Sequence, residues 1–282
     1  MNSNTPQNRL LAGTAAILRG HFTPRGLACY FLAGYTLIAG LCLTAYGFYQ
    51  AHYHAGHHPD AAPYSVFTST FSFLGSFDAR KNPEGWLFFS LALWTVALFL
   101  VPLTRYIGRR MAVIHPAGAT AGMGLLLLGA GAIALVGVFP DSGQDFVADL
   151  HYGKIHNLVA LLAFAGLSFG PLWFGLMLAR FNPFRPGHRP PDRDDARAAF
   201  HRPALHLPFF LLAGVLTTAM CFLIRWECIY RRLGQPHWPG VGVYAFPLWE
   251  WLYILTLFLA LAWFSLALPN QIPAPTPTSR VP

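Results

Sequence analysis

Six stretches of this chain run for eighteen residues or more without a single Asp, Glu, Lys or Arg: Gly26–Phe48, Trp86–Thr104, Ala117–Phe139, Leu158–Ala179, Leu207–Ile224 and Trp251–Leu268. About 20 apolar residues, at a rise of about 1.5 Å each, cross the ~30 Å hydrocarbon core of a bilayer, so every stretch is long enough to span. A helix satisfies each backbone N–H and C=O within its own segment, which makes it the economical way to cross. A soluble protein with buried helices would need amphipathic faces, and these runs are apolar all round. Composition agrees, with 55% of the 282 residues hydrophobic and 11% charged, against roughly 25% charged in a soluble domain. The sequence therefore predicts an all-α, polytopic membrane bundle of six transmembrane helices. The first run is too long for a signal-peptide core and reads as an uncleaved anchor. Cys29, Cys42, Cys221 and Cys228 form no C-x-x-C or Cys/His finger spacing and read as packing residues.

The positions of Lys and Arg give the expected orientation. With the N-terminus inside, thirteen basic residues fall on the inner side, six of them between Arg180 and Arg202, and six fall outside. Three acids lie inside and eight outside, so the formal charge of +8 divides into about +10 inside and −2 outside. Both termini are then cytoplasmic, in a multi-pass protein of the cell's inner (plasma) membrane. Residues 1–26 form the N-terminal tail and 27–268 the six-helix domain, with an outer loop at 49–85 and an Arg-rich inner loop at 180–206. Residues 269–282, rich in proline, read as an extended tail. The basic balance is thus a topology signal. Nucleic acid is not an expected partner, because no basic face carries groove-reading elements. Membrane lipids are the expected partners, and the inner loop suits anionic head groups.

Local signals add detail. Asn82-Pro83-Glu84 ahead of Trp86 reads as a helix start, with an Asn cap, a Pro at the first position and an acid in the first turn. Pro247 and Glu250 read the same way before the last span. Trp86, Trp226, Trp238, Trp249 and Trp251, with Tyr64, Tyr152 and Tyr230, read as an outer aromatic belt. Gly118-x-x-x-Gly122, with Gly124, Gly129 and Gly131, and Gly166-x-x-x-Gly170 permit close helix packing within the chain or, as the weaker alternative, in a homo-oligomer. The uncharged stretch Tyr64–Gly75 is too short to span and reads as a re-entrant or interfacial segment folded against the bundle.

Ionisable groups gather in the outer segments, and beside a membrane such groups default to a functional reading. The first loop offers Ser72, Ser76, Asp78 and Glu84; the second offers Asp141, His156 and Asn157; the third offers Arg225, Glu227 and Glu250. Each has a plainer competitor. Glu84, Asp149 and Glu250 would favour a helix start by ~0.3–1 kcal/mol. Glu250 can pair with Arg225, His156 can be a satisfied buried imidazole, and Asp78 and Asp141 follow turn signals. The string His52-Tyr-His54-Ala-Gly-His57-His58-Pro-Asp60 sets four imidazoles beside a carboxylate, a density that can hold Zn, Ni or Cu, though at no closed zinc-finger spacing. No motif names a cofactor: nucleophile elbow, Walker loop, H-E-x-x-H and dinucleotide glycine pattern are all missing from the sequence.

Three motifs share an order with a known family. Ser72-Phe-Leu-Gly75-Ser76 followed by Asn82-Pro83-Glu84, then Val138-Phe139-Pro140-Asp141 with His156-Asn157-x-x-Ala160-x-x-Ala163-Phe164, then Pro247-Leu-Trp-Glu250-Trp251, resemble the signatures of the Frag/DRAM/Sfk superfamily and its bacterial and archaeal relatives. The resemblance runs from the first span to the last. The His52–Asp60 string and the long Pro-rich inner loop depart from the family pattern. It implies a six-helix fold and a connection to membrane lipids, and no settled reaction.

The leading expectation is a lipid-binding or lipid-handling protein with an outward-facing polar pocket lined by Ser72, Ser76, Asp78, Glu84, Asp141, His156, Asn157 and Glu250. Three helix N-termini at the same face would suit a phosphate head group. The second is an intramembrane hydrolase or acyltransferase. It would use His156 as base or metal ligand, Asp141 or Asp78 to orient it, and Ser72 or Ser76 as nucleophile or oxyanion donor. In residue types alone this resembles the alkaline-ceramidase-like membrane hydrolases, though the chain lacks their paired His on the final helix. A small-molecule transporter comes third, since it calls for ionisable groups at mid-bilayer and inverted repeats, and the span centres here are uncharged.

Overall fold

The computed structural model describes residues 6–56, 63–147, 150–181, 200, 202–225, 228 and 242–269, with side chains from residue 12 onward and without that of 181. Seven helices follow in order: α1 (Pro6–Leu18), α2 (Pro24–His54), α3 (Trp86–Met111), α4 (Pro116–Val138), α5 (Tyr152–Phe181), α6 (Leu207–Arg225) and α7 (Phe246–Ala267). The last six are long and apolar enough to cross a membrane. Their outward surfaces are apolar as well: Leu98 and Phe210 are each 74% exposed and Leu259 67%. In water so large an apolar surface would drive association. Around a bundle it is the surface lipid covers, and the chain is an integral membrane protein of six spans.

The ends of the helices follow from local chemistry. Thr23 caps α2, its Oγ1 accepting from the Gly26 N–H at 3.0 Å, with Pro24 in the first turn. His115 caps α4 through Nδ1, accepting from the Gly118 N–H at 2.9 Å, again followed by proline. The start of α3 differs from the expected cap. Asn82 lies four residues before Trp86, so Pro83 and Glu84 sit in a preceding turn rather than in the helix. Asn82 is fully buried and uses its whole amide. Oδ1 accepts from the Gly85 N–H at 3.1 Å, while Nδ2 donates to the carbonyls of Ala45 at 3.0 Å and Leu74 at 2.7 Å. One side chain therefore joins α2, the outer-loop segment and the entry to α3. Glu250 likewise lies beyond the first turn of α7 and points inward, so it is no dipole-capping acid.

Helix α4 packs chiefly between α3 and α5, while α6 packs on α7 and α2 on α3. The α4–α5 seam is the closest. A Cβ on Gly166 would lie 2.5 Å from the Gly129 backbone nitrogen, so only glycine permits this approach. Gly122 and Gly170 face Phe174 and Leu126 across the same seam, whereas Gly124 and Gly131 point into open space. The glycine pattern is thus used mainly inside the chain. Phenols tie α7 to its neighbours: Tyr35 donates to the Phe258 carbonyl at 2.5 Å, Tyr106 to the Ser265 carbonyl at 3.4 Å, and Tyr253 shares a 2.6 Å hydrogen bond with Ser168 of α5.

Two features lie outside the expected pattern. The N-terminal tail contains the short helix α1, held by Arg105 and Arg109 of α3, which donate to the carbonyls of Leu18 at 2.6 Å and Arg19 at 3.0 Å. Between α4 and α5, β1 (Asp145–Val147) pairs antiparallel with β2 (Leu150–His151).

Candidate functional site

The segment 63–85 packs on the bundle end where α3, α5 and α7 begin, here termed the mouth end. Phe71–Gly75 forms a single 3-10 turn against α3, so close that a Cβ on Gly75 would strike the Phe89 ring at 2.3 Å. Tyr64 pins the segment. Its hydroxyl donates to the Thr70 carbonyl at 3.1 Å and accepts from Trp251 Nε1 at 3.0 Å. Burial pushes the Tyr64 phenol well above its ordinary range. Tyr64 and Trp251 therefore act as an internal clamp, where the sequence reads them as part of an outer aromatic belt.

Beneath this segment is a cavity of about 710 Å³, bounded by α2, α3, α4, α5 and α7 with Leu223 of α6, within the range typical of small-molecule sites. Ser72, Asp141, His156, Asn157 and Glu250 line its polar end together with Thr70. They come from three separate regions of the chain: the segment 63–85, the α4–α5 region and α7. Ile38, Leu100, Leu167, Leu257 and Leu261 line the remainder. Leu167 lies eleven residues beyond His156, and Leu261 eleven beyond Glu250. At 1.5 Å per residue the apolar part reaches about 16 Å below the polar end, close to the ~15 Å of one leaflet. Leu161 also lines the cavity and is 61% exposed. Leu161 stands five residues, little more than a turn, beyond His156 on α5.

Two helix-end groups set the polar chemistry. Phe139 follows the last residue of α4, and its carbonyl has no partner along that helix. His156, 4% exposed, donates to it from Nδ1 at 2.8 Å. A carbonyl only accepts, so the proton sits on Nδ1 and leaves Nε2 as an acceptor. Phe71 opens the 3-10 turn, and its free N–H donates to Glu250 Oε2 at 3.0 Å. Glu250 is 8% exposed and reaches the cavity. Asp141 accepts from Lys81 at 2.9 Å, and that ammonium also lies 4.1 Å from the centre of the Phe73 ring. Thr70 and Ser72 share a 3.0 Å hydroxyl hydrogen bond.

The remaining candidates fall elsewhere. Ser76 is fully buried, and its Oγ accepts from the Asp78 N–H at 3.3 Å. Asp78 is half-buried and Glu84 exposed, and none of the three lines the cavity. His52 is buried against the Ala79 carbonyl at 2.7 Å, tying the end of α2 to the same segment, while His54 is exposed. His57, His58 and Asp60 lie outside the described residues, as do Asp149, most of the Arg-rich loop and the tail beyond 269. Among the described residues, no three His, Cys, Asp or Glu side chains converge closely enough to hold a metal ion.

Thr70, Lys81 and the lining residues Phe71, Cys42 and Tyr253 had no signal of their own in the sequence. Lys81 could have been noticed only as a lone cation in a loop otherwise rich in hydroxyl groups. No family model, curated protein or solved structure matches the chain, so the reading of this cavity rests on the residues that line it.

Proposed function

We propose that the protein binds a membrane lipid, with the head group at the polar ring and one acyl chain in the apolar part of the cavity. The observation that carries this reading is the shape. A polar end at His156 and Glu250 continues into an apolar part about one leaflet deep, and one of its lining residues, Leu161, is 61% exposed on the outside of the bundle. A water-borne solute has no use for such a shaft, and a lipid tail fits its depth. The positive-inside charge distribution puts the ring on the outer side of the membrane, and the resemblance to the Frag/DRAM/Sfk superfamily points to the same class of ligand.

The test is lipid mass spectrometry on protein purified in nanodiscs. A defined lipid species should co-purify at about one per chain, and Leu161→Trp should deplete it. Retention unchanged in that variant would end the proposal. Orientation is checked with single cysteines in a background cleared of the native four. Gln144→Cys should react with an impermeant thiol reagent in intact cells, and Arg193→Cys should not.

A second reading is favoured by His156, its Nδ1 held by the Phe139 carbonyl, lining the same cavity as Ser72. It is a lipid hydrolase or acyltransferase with His156 as base. Loss of turnover with retained lipid in His156→Gln would favour that reading over simple binding.

A further inference from the structure

The polar end of the cavity presents acceptors to whatever enters it. Glu250, Asp141 and His156 line it, residues whose carboxyl oxygens and neutral imidazole nitrogen accept hydrogen bonds, while no Lys or Arg lines the cavity among the described residues. Lys81, which does not line the cavity, is held by Asp141 at 2.9 Å and lies over Phe73. Glu250, by contrast, is met by the neutral Phe71 N–H. Glu250 and His156 each stand four residues inside their helices. A head group at their depth therefore lies below the free N–H groups of the helix starts, whose influence fades within the first turn. It meets side chains instead. A phosphate there would face two carboxyl groups and, among the described lining residues, no Lys or Arg, the like-charge arrangement that recognition sites use to exclude a ligand.

We infer that the cavity takes a lipid whose head is an alkyl ammonium, seated against Glu250 and His156 with the phenyl ring of Phe71 beside it, and that it rejects a phosphate at this depth. An ammonium supplies three N–H donors, which matches the acceptors on offer. Aromatic faces attract such a cation once water is removed. A long-chain amine and an aminophospholipid share this head chemistry. The inference rests on the lipid-binding reading above and adds the identity of the head.

The test compares three probes of equal chain length, hexadecylamine, hexadecanol and hexadecyl phosphate, as competitors for binding to the protein in neutral nanodiscs near pH 7, where the amine is charged. Amine should bind best, alcohol more weakly and alkyl phosphate worst. Glu250→Gln keeps an oxygen for the Phe71 N–H and so preserves the local fold. It should cut amine affinity by about 10–100-fold, the worth of one hydrogen bond to a charged group, with alcohol affinity little changed. Phosphatidylethanolamine, as a fourth competitor, distinguishes the sources: displacement of the amine by it marks the aminophospholipid, and no displacement marks the free amine. Alkyl phosphate binding as well as the amine, or an unchanged amine-to-alcohol ratio in Glu250→Gln, would overturn the head-group inference alone. Failure of every probe to bind, with the protein folded, would remove the lipid-binding reading beneath it.

Discussion

Helix α5 meets its two inner neighbours in opposite ways. Against α4 its glycines bring the two backbones into contact, with Gly166 lying on Gly129 and no room left for a methyl group. Towards α7 the same helix presents Asn157, Ala160, Phe164 and Leu167 to an open cavity, and the Ser168–Tyr253 hydrogen bond is the tether between them. One face has been closed by removing side chains; the other has been kept apart by side chains too large for the helices to close over and too few to fill the gap. In a bilayer no hydrophobic force pulls helices together, because lipid tails are as apolar as leucine. A gap between spans is therefore not squeezed shut, and the tight seam on the far side of α5 holds its position.

That contrast can be broken most forcefully at the seam. Gly166→Leu drives a branched side chain into the α4 backbone, and the expected result is loss of monodisperse protein on size-exclusion chromatography, since even tolerated overpacking costs about 1–3 kcal/mol. Ala160→Phe places a comparable increase in volume on the cavity face. It should leave thermal stability within about 1 kcal/mol of the parent while displacing bound lipid. Equal damage from the two substitutions would erase the distinction between the faces. Next in size, His156→Gln should weaken lipid retention roughly 10-fold or more by disturbing the Phe139 hydrogen bond and the acceptor at Nε2, read out by quantitative lipid mass spectrometry. Lys81→Met should have the smallest effect. Its ion pair with Asp141 is partly exposed, so about 0–1 kcal/mol of stability is at stake, detectable as a small fall in melting temperature that shrinks as salt is raised.

The spans were legible in the sequence because charge is costly in lipid and a charge-free run is an unambiguous mark. Their ends were less so. Helix α2 continues past Phe48 to His54, and α5 begins at Tyr152 rather than Leu158, because Gln50, His52, Lys154 and His156 are polar yet helical. Five of the expected pocket residues line one cavity, and the serines show why the others could not be sorted. Ser72 and Ser76 are four residues apart in one motif, yet the first faces the cavity and the second is sealed under it. Only the packing of the 3-10 turn on Phe89 decides between them. Asn82 reads as a cap but stands four residues ahead of α3, and its links to Ala45 and Leu74 are tertiary and leave no local pattern. The Asp141–Lys81 pair joins residues sixty positions apart and was equally hidden.

On the lipid-binding proposal, entry from the bilayer beside the exposed Leu161 would change what affinity means for this protein. A ligand that enters there never passes through water, so occupancy follows its mole fraction in the surrounding membrane and not its vanishing aqueous concentration. The apolar shaft ends about 16 Å below the polar ring, near the bilayer midplane. Only lipids of the leaflet on that side can present head and tail at matching heights. The cavity would therefore fill according to the composition of a single leaflet, and a lipid confined to the opposite one would leave it vacant however abundant it became.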